Sequence, residues 1–156
     1  MSEYQYLLKF EDEWKAKDEK FVSFDEKWIS DKINDNFITY AEKLGEYLVK
    51  PNDDNKNALT TSQIRNIYGE VKRIQLGGFS NMETSFLLLK PKLSYNIKRN
   101  TEKGKGLGLN VFGDVFFKAF DIVIKNQDPT KRSKCFENFC QVMEAIVAFH
   151  RGKGGK

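Results

Sequence analysis

Histidine occurs once in this chain, cysteine twice and proline three times, and no arginine falls before position 60. A single His150 excludes a two-histidine ribonuclease pair and a His-rich metal site, and no Ser-His-Asp or Cys-His arrangement suggests itself. At the end of an apolar helix pattern, His150 reads as a C-terminal helix cation or a packing residue. Cys135 and Cys140 lie five apart on one expected helix, which is neither a metal-ligand nor a redox spacing, so they read as reduced core thiols. So little proline, with no Ser/Gly/Pro tract, argues against a long disordered linker. No apolar run reaches the length that spans a bilayer, and the opening MSEYQYLLKFEDEW has no basic stretch before an apolar one. A cytoplasmic location and no membrane partner are expected.

What is present is aromatic and unevenly charged. Thirteen phenylalanines among 156 residues can furnish one core, so residues 1–156 read as a single helical domain. Residues 1–59 carry nine lysines against fourteen acids, a net −5, and residues 60–156 carry seventeen cations against eight acids, a net +9. That division points to a polyanion, nucleic acid first, held by the later segments. The acids of the first part are mixed with lysine, as in EDEW, KDEK and FDEK, and read as solvated faces. Their pattern does not require a carboxylate metal site, which would need two or three acids converging from different elements. Neither catalysis nor a cofactor or metal is expected.

Periodicity divides the chain into helices. Residues 1–24 hold a weakly periodic stretch (Tyr6, Leu7, Phe10, Trp14), either a short helix or a loosely packed arm. Over 25–49, Trp28, Ile29, Ile33, Phe37, Tyr40, Ala41, Leu44 and Leu48 follow three-and-four spacing and predict one amphipathic helix. Pro51 and the polar run 52–57 end it. At Thr60 a capping box with Gln63 opens a helix whose buried stripe is Ile64, Ile67, Tyr68, Val71 and Ile74, stopped by Gly77-Gly78. The next helix starts near Ser80 with Met82, Phe86, Leu87, Leu89, Leu93 and Ile97, and Pro91 predicts a kink within 87–90 or two abutting helices.

The glycine-rich KGKGLG (103–108) lacks the Lys-Ser/Thr ending of a P-loop and follows no strand, which argues against a nucleotide loop. Helices over 109–126 and 131–150 complete an all-α, compact bundle of five to six helices, with 151–156 as a flexible tail.

On the 60–75 helix Arg65 and Lys72 are seven apart and share one side, and Asn66 and Arg73, also seven apart, lie next to them. Gln63 extends this face towards the helix N-terminus, where backbone N–H groups favour an anion. The next helix adds Lys90, Lys92, Lys98 and Arg99. Cations with amides are the inventory of phosphate contacts that position a nucleic acid without reading it. A solvated basic face is the alternative from spacing alone.

The stretches LTTSQIRNIYGEVKRI, LLLKPKLSYNIKR, GLNVFGDVFFKAFD and FENFCQVMEAIVAFHRGKGGK, in that order over residues 59–150 and its flank, resemble the small subunit of the type III-A CRISPR–Cas effector, the Csm complex. The resemblance implies a helical protein without nuclease activity. It implies partners too: guide RNA and target RNA, the backbone subunits of the complex, and other copies of itself stacked alongside. It carries Gln63, Arg65, Asn66, Lys90, Lys92 and Arg99 into an RNA-facing set, which Lys72 and Arg73 join on helical geometry. The chain departs from the family at 94–98, Ser-Tyr-Asn-Ile-Lys, where small residues are expected before the arginine. A protein–protein assembly module, its basic face meeting an acidic partner instead of RNA, is the competing expectation. A small metal-dependent nuclease is a third.

Overall fold

A computed structural model describes residues 3–51, 57–102 and 106–156. Residues 52–56 of the expected polar loop and 103–105 of the glycine-rich one lie outside them. The described residues form seven helices and no strand: α1 (Gln5–Lys17), α2 (Lys27–Ser30), α3 (Asp35–Val49), α4 (Thr61–Gly77), α5 (Phe79–Asn100), α6 (Leu107–Lys125) and α7 (Pro129–Gly152). The class is all-α as expected, with seven helices where five to six were expected.

One expected helix over 25–49 is two. Asn34 takes an extended backbone, and its side-chain oxygen accepts both the Phe37 N–H, at 3.0 Å, and the Trp28 indole N–H, at 3.0 Å. An asparagine that caps a following helix competes with continuation of the preceding one. Apolar spacing runs through this break because both pieces face the same core. The buried Asn138 amide of α7 then donates to the carbonyls of Ile29 and Asp31, each at 2.8 Å, and so closes the end of α2.

The first segment contributes a packed helix. Leu7 and Phe10 of α1 are fully buried, and Phe10 sits among Phe21, Tyr40 and Tyr47 with ring centroids 5.0–6.0 Å apart. Tyr4 gives α1 no side-chain cap. Asp114 of α6 serves instead, accepting the Tyr6 and Leu7 N–H groups at 2.8 and 3.0 Å. Glu11 corrects the view that every acid of this part is solvated. Its carboxylate is buried and accepts the Phe24 N–H at 2.9 Å and the Tyr40 hydroxyl at 2.7 Å, which satisfies the buried polar groups on both sides.

At the centre, α6 and α7 supply the main aromatic cluster. Phe86 of α5 meets Phe79, Phe120, Phe136 and Phe139 at 4.6–5.5 Å. Helix α3 lies against α7 at Gly45, where a Cβ would stand only 2.7–2.9 Å from Phe149 and the His150 nitrogen. Only glycine lets the two helices approach so closely. At its far end, α7 buries His150, whose Nε2 meets the Leu59 carbonyl at 2.6 Å while Nδ1 has no partner. Burial holds its pKa below the usual histidine value, so His150 is the packing residue and not the helix-end cation. Beyond it Arg151 and Gly152 finish α7, and the Gly155 N–H donates to the His150 carbonyl at 2.9 Å.

Helices α4 and α5 form a hairpin over this core. The Thr60 capping box is present, with Gln63 N–H on the Thr60 hydroxyl at 3.1 Å and Thr60 N–H on the Gln63 side-chain oxygen at 2.9 Å. Ile64, Val71 and Ile74 are buried, and Ile67 and Tyr68 are half-buried. Gly78, at φ +87, ends α4 and begins α5, a backbone conformation that suits glycine.

The backbone angles show no break at 87–90, where the kink is expected. Helical geometry runs through Pro91 and breaks at Met82 (φ −116, ψ 17). Pro91 lies on the exposed side of α5, where water can reach the backbone group that proline leaves unbonded. Leu87, expected in the buried stripe, is 41% exposed. It lies one position off the Phe86–Leu89–Leu93 face.

Candidate nucleic-acid interface

The hairpin concentrates positive charge. Over residues 61–100 there are seven cations, with Glu70 and Glu83 as the only acids, a net +5. Capping fixes where this face begins. With Thr60 and Gln63 bonded to each other's backbone, α4 starts at one register, and the side chains that follow project at helical intervals from it.

The nine residues singled out by sequence do not fall on one surface. Lys72 leans across the Tyr68 ring, 6.0 Å from its centroid, and donates to the Gln75 side chain at 3.3 Å. Its charge reaches Cys140 of α7, where it opposes the burial that pushes the thiol up to about 12. Lys72 therefore lies on the flank of α4 turned to α7. Arg73 is held by Glu70, with Nε at 3.1 Å and Nη2 at 2.9 Å from one carboxylate oxygen. Lys90 pairs with Asp121 of α6 at 2.9 Å, and the other oxygen of that carboxylate takes the Tyr4 hydroxyl at 2.5 Å. Lys90 is thus part of a strut joining α1, α5 and α6. Gln63 is engaged through its oxygen in the capping box.

The remaining five are open to solvent. Arg65, Lys92, Lys98 and Arg99 are exposed, and none is in any ion pair found among the described residues. Asn66 is exposed and faces Lys92 across a groove of about 310 Å³ between α4 and α5. Ile67, Leu89, Leu93 and Phe116 form its apolar floor, and Asn66, Glu70, Lys92 and Asn96 its rims. Lys98 and Arg99 occupy the last turn of α5, where the helix dipole favours cations.

Three features of the site were not named in the sequence. Asn96 and Glu70 line the groove, and Tyr95, next to Asn96 in the chain, stands 68% exposed. The signal for Tyr95 is an aromatic residue lying off its helix's buried stripe. Asp121 could not be paired with Lys90 or Tyr4 by any local pattern, since the partners lie 31 and 117 positions away. Arg132, in contrast, is withdrawn from the basic surface. Its guanidinium donates to the Ile124 and Asn126 carbonyls at the end of α6 and meets Glu83 at 3.4 Å.

Among the described residues no three His, Cys, Asp or Glu side chains gather where they could hold a metal ion. No helix among them is long and apolar enough to cross a membrane. No curated protein and no solved structure matches the chain. A family model described as Csm2 Type III-A matches residues 30–156, from α2 to the end of the chain and so across the whole hairpin. The chain belongs to the Csm2 Type III-A family, a small subunit of the type III-A CRISPR–Cas Csm complex.

Proposed function

We propose that this subunit is a non-catalytic, architectural RNA-binding protein of the cytoplasmic effector complex. It stacks in several copies along the backbone subunits and contacts the guide and target RNA through their phosphates, without sequence specificity. The observation that carries this reading is the set of exposed cations on one hairpin, Arg65, Lys92, Lys98 and Arg99, none of which is in an ion pair among the described residues. An exposed lysine or arginine that stabilises nothing in the fold is free to neutralise a phosphate and release its counterions. Base pairing between guide and target reads the sequence, so the protein needs only to hold the backbone. A lone copy binds weakly, on the order of the micromolar to sub-millimolar range of non-specific contacts. Stacked copies bind more tightly through multivalency.

The test is RNA affinity of the purified chain at low salt. Arg65→Ala and Lys92→Ala should each weaken binding to unrelated sequences by the same factor and leave the melting temperature unchanged. A loss confined to one sequence contradicts the reading, as does EDTA-sensitive cleavage of RNA by the pure protein. The charge division between residues 1–59 and 60–156 favours a second reading, in which the basic face docks on the acidic part of a neighbouring copy. Concentration-dependent self-association with no RNA binding at low salt would select it.

A further inference from the structure

We propose that the groove between α4 and α5 seats one unpaired nucleobase, while the cations beside it hold the adjoining phosphates. This rests on the RNA-binding reading above and adds a base contact to it. A surface that only follows phosphates needs cations and hydrogen-bond donors. It has no need of an apolar depression, yet one of about 310 Å³ lies in the middle of the basic hairpin, a size at the lower end of small-molecule sites. Its floor of Ile67, Leu89, Leu93 and Phe116 is apolar surface that a heterocycle can cover.

The rims carry unused polar groups. The Asn66 side chain makes no hydrogen bond among the described residues. Asn96 accepts the Asn100 amide on its side-chain oxygen, at 3.0 Å, which leaves its own NH2 free. Glu70 holds Arg73 through Oε2 alone, so Oε1 can accept an amino group. Amides and a carboxylate around an apolar floor supply donors and acceptors for a base edge. Lys92 stands on the rim, and Arg99 lies seven residues further along the same flank of α5. A base already paired has its edge occupied, so only an unpaired nucleotide can enter.

The experiment compares two labelled RNAs of equal length and equal phosphate count, by fluorescence anisotropy with the full chain. One is a single strand bearing bases, and the other has abasic sites throughout. The base-bearing strand should bind about tenfold tighter, with equal salt slopes for the two strands, because the phosphates are the same. Asn66→Ala should shrink that difference about threefold or more, and Asn96→Ala likewise, with melting temperature and salt slope unchanged. Asn66 is exposed, so its variant decides the matter if Asn96→Ala fails to fold. Tyr95→Ala serves as the control and should keep most of the difference. Equal affinity for the two strands overturns the base seat and leaves phosphate binding standing. A difference erased by Tyr95→Ala and untouched by Asn66→Ala also overturns it, because the base then stacks outside the groove. No binding to either strand removes the RNA reading, and the seat with it.

Discussion

The helices of residues 5–49 and the hairpin of residues 61–100 use charge in opposite ways. In α1–α3 and the turn before α2, three acids are tied into the fold. Glu11 is buried under Phe24 and Tyr40, Glu26 meets Lys125 at 3.0 Å, and Glu42 meets Lys153 at 3.6 Å. In α4–α5 four cations are in no ion pair among the described residues, although the hairpin has a net +5. Self-repulsion on a compact hairpin works against folding unless a partner supplies the missing negative charge. The first region therefore ties part of its charge into the fold, and under the proposed function the second leaves Arg65, Lys92, Lys98 and Arg99 for the phosphates.

Substitutions can break this contrast. The largest effect on stability should come from Phe10→Ala, which empties a fully buried site between three aromatic rings. A loss of about 3–5 kcal/mol is expected in urea unfolding, with unchanged RNA affinity for the protein that remains folded. Glu11→Ala should cost less, about 1–3 kcal/mol, by leaving the Phe24 N–H and the Tyr40 hydroxyl without an acceptor. RNA affinity that falls in step with either loss would place the N-terminal layer in the binding surface and erase the distinction.

Acid should sharpen it further. Burial lowers the folded pKa of His150 below its ordinary value of 6.5. The unfolded chain then binds the proton more readily, so the stability this residue contributes is complete above about pH 6.5 and declines as pH falls below it. The melting temperature of the wild type should drop between pH 7.5 and 5.5, and His150→Gln should flatten that drop. An identical pH profile in the variant would place the titration elsewhere.

Much of this molecule is legible in its sequence, and the misses have a common cause. The Thr60–Gln63 box, the Ile64–Val71–Ile74 stripe and the Gly77-Gly78 stop are local, each set by residues within a turn of one another. The break at Asn34 hides beneath unbroken apolar spacing because one asparagine overrides it from outside the stripe. The chemistry of Pro91 predicts a kink nearby, but the break in helical angles falls at Met82. Among the candidate cations, spacing puts Lys72 on one side with Arg65 and counts Lys90 with the cations of the next helix. It cannot tell that Lys72 turns to α7 or that Lys90 finds Asp121 in α6. Which cations are free is a tertiary property, and so is the burial of Glu11 and His150.

The smallest expected effect follows from that last distinction. Lys90→Ala removes a cation already paired with Asp121, so RNA affinity should change little. Stability should fall by no more than about 1 kcal/mol for so exposed a pair. A substantial loss of affinity would mean that the pair opens on binding.

Salt titration of RNA binding by the wild type, Lys92→Ala and Lys90→Ala on one single-stranded RNA tests the central claim most directly. Among the described residues Lys92 is in no ion pair, and Lys90 is paired with Asp121. Lys92→Ala should lower affinity for every sequence alike and reduce the slope of log K against log salt by about 0.7. Lys90→Ala should leave the slope as it is. Equal slopes for the wild type and Lys92→Ala would contradict the account, because the open cations of the hairpin would then not be the groups that hold the phosphates.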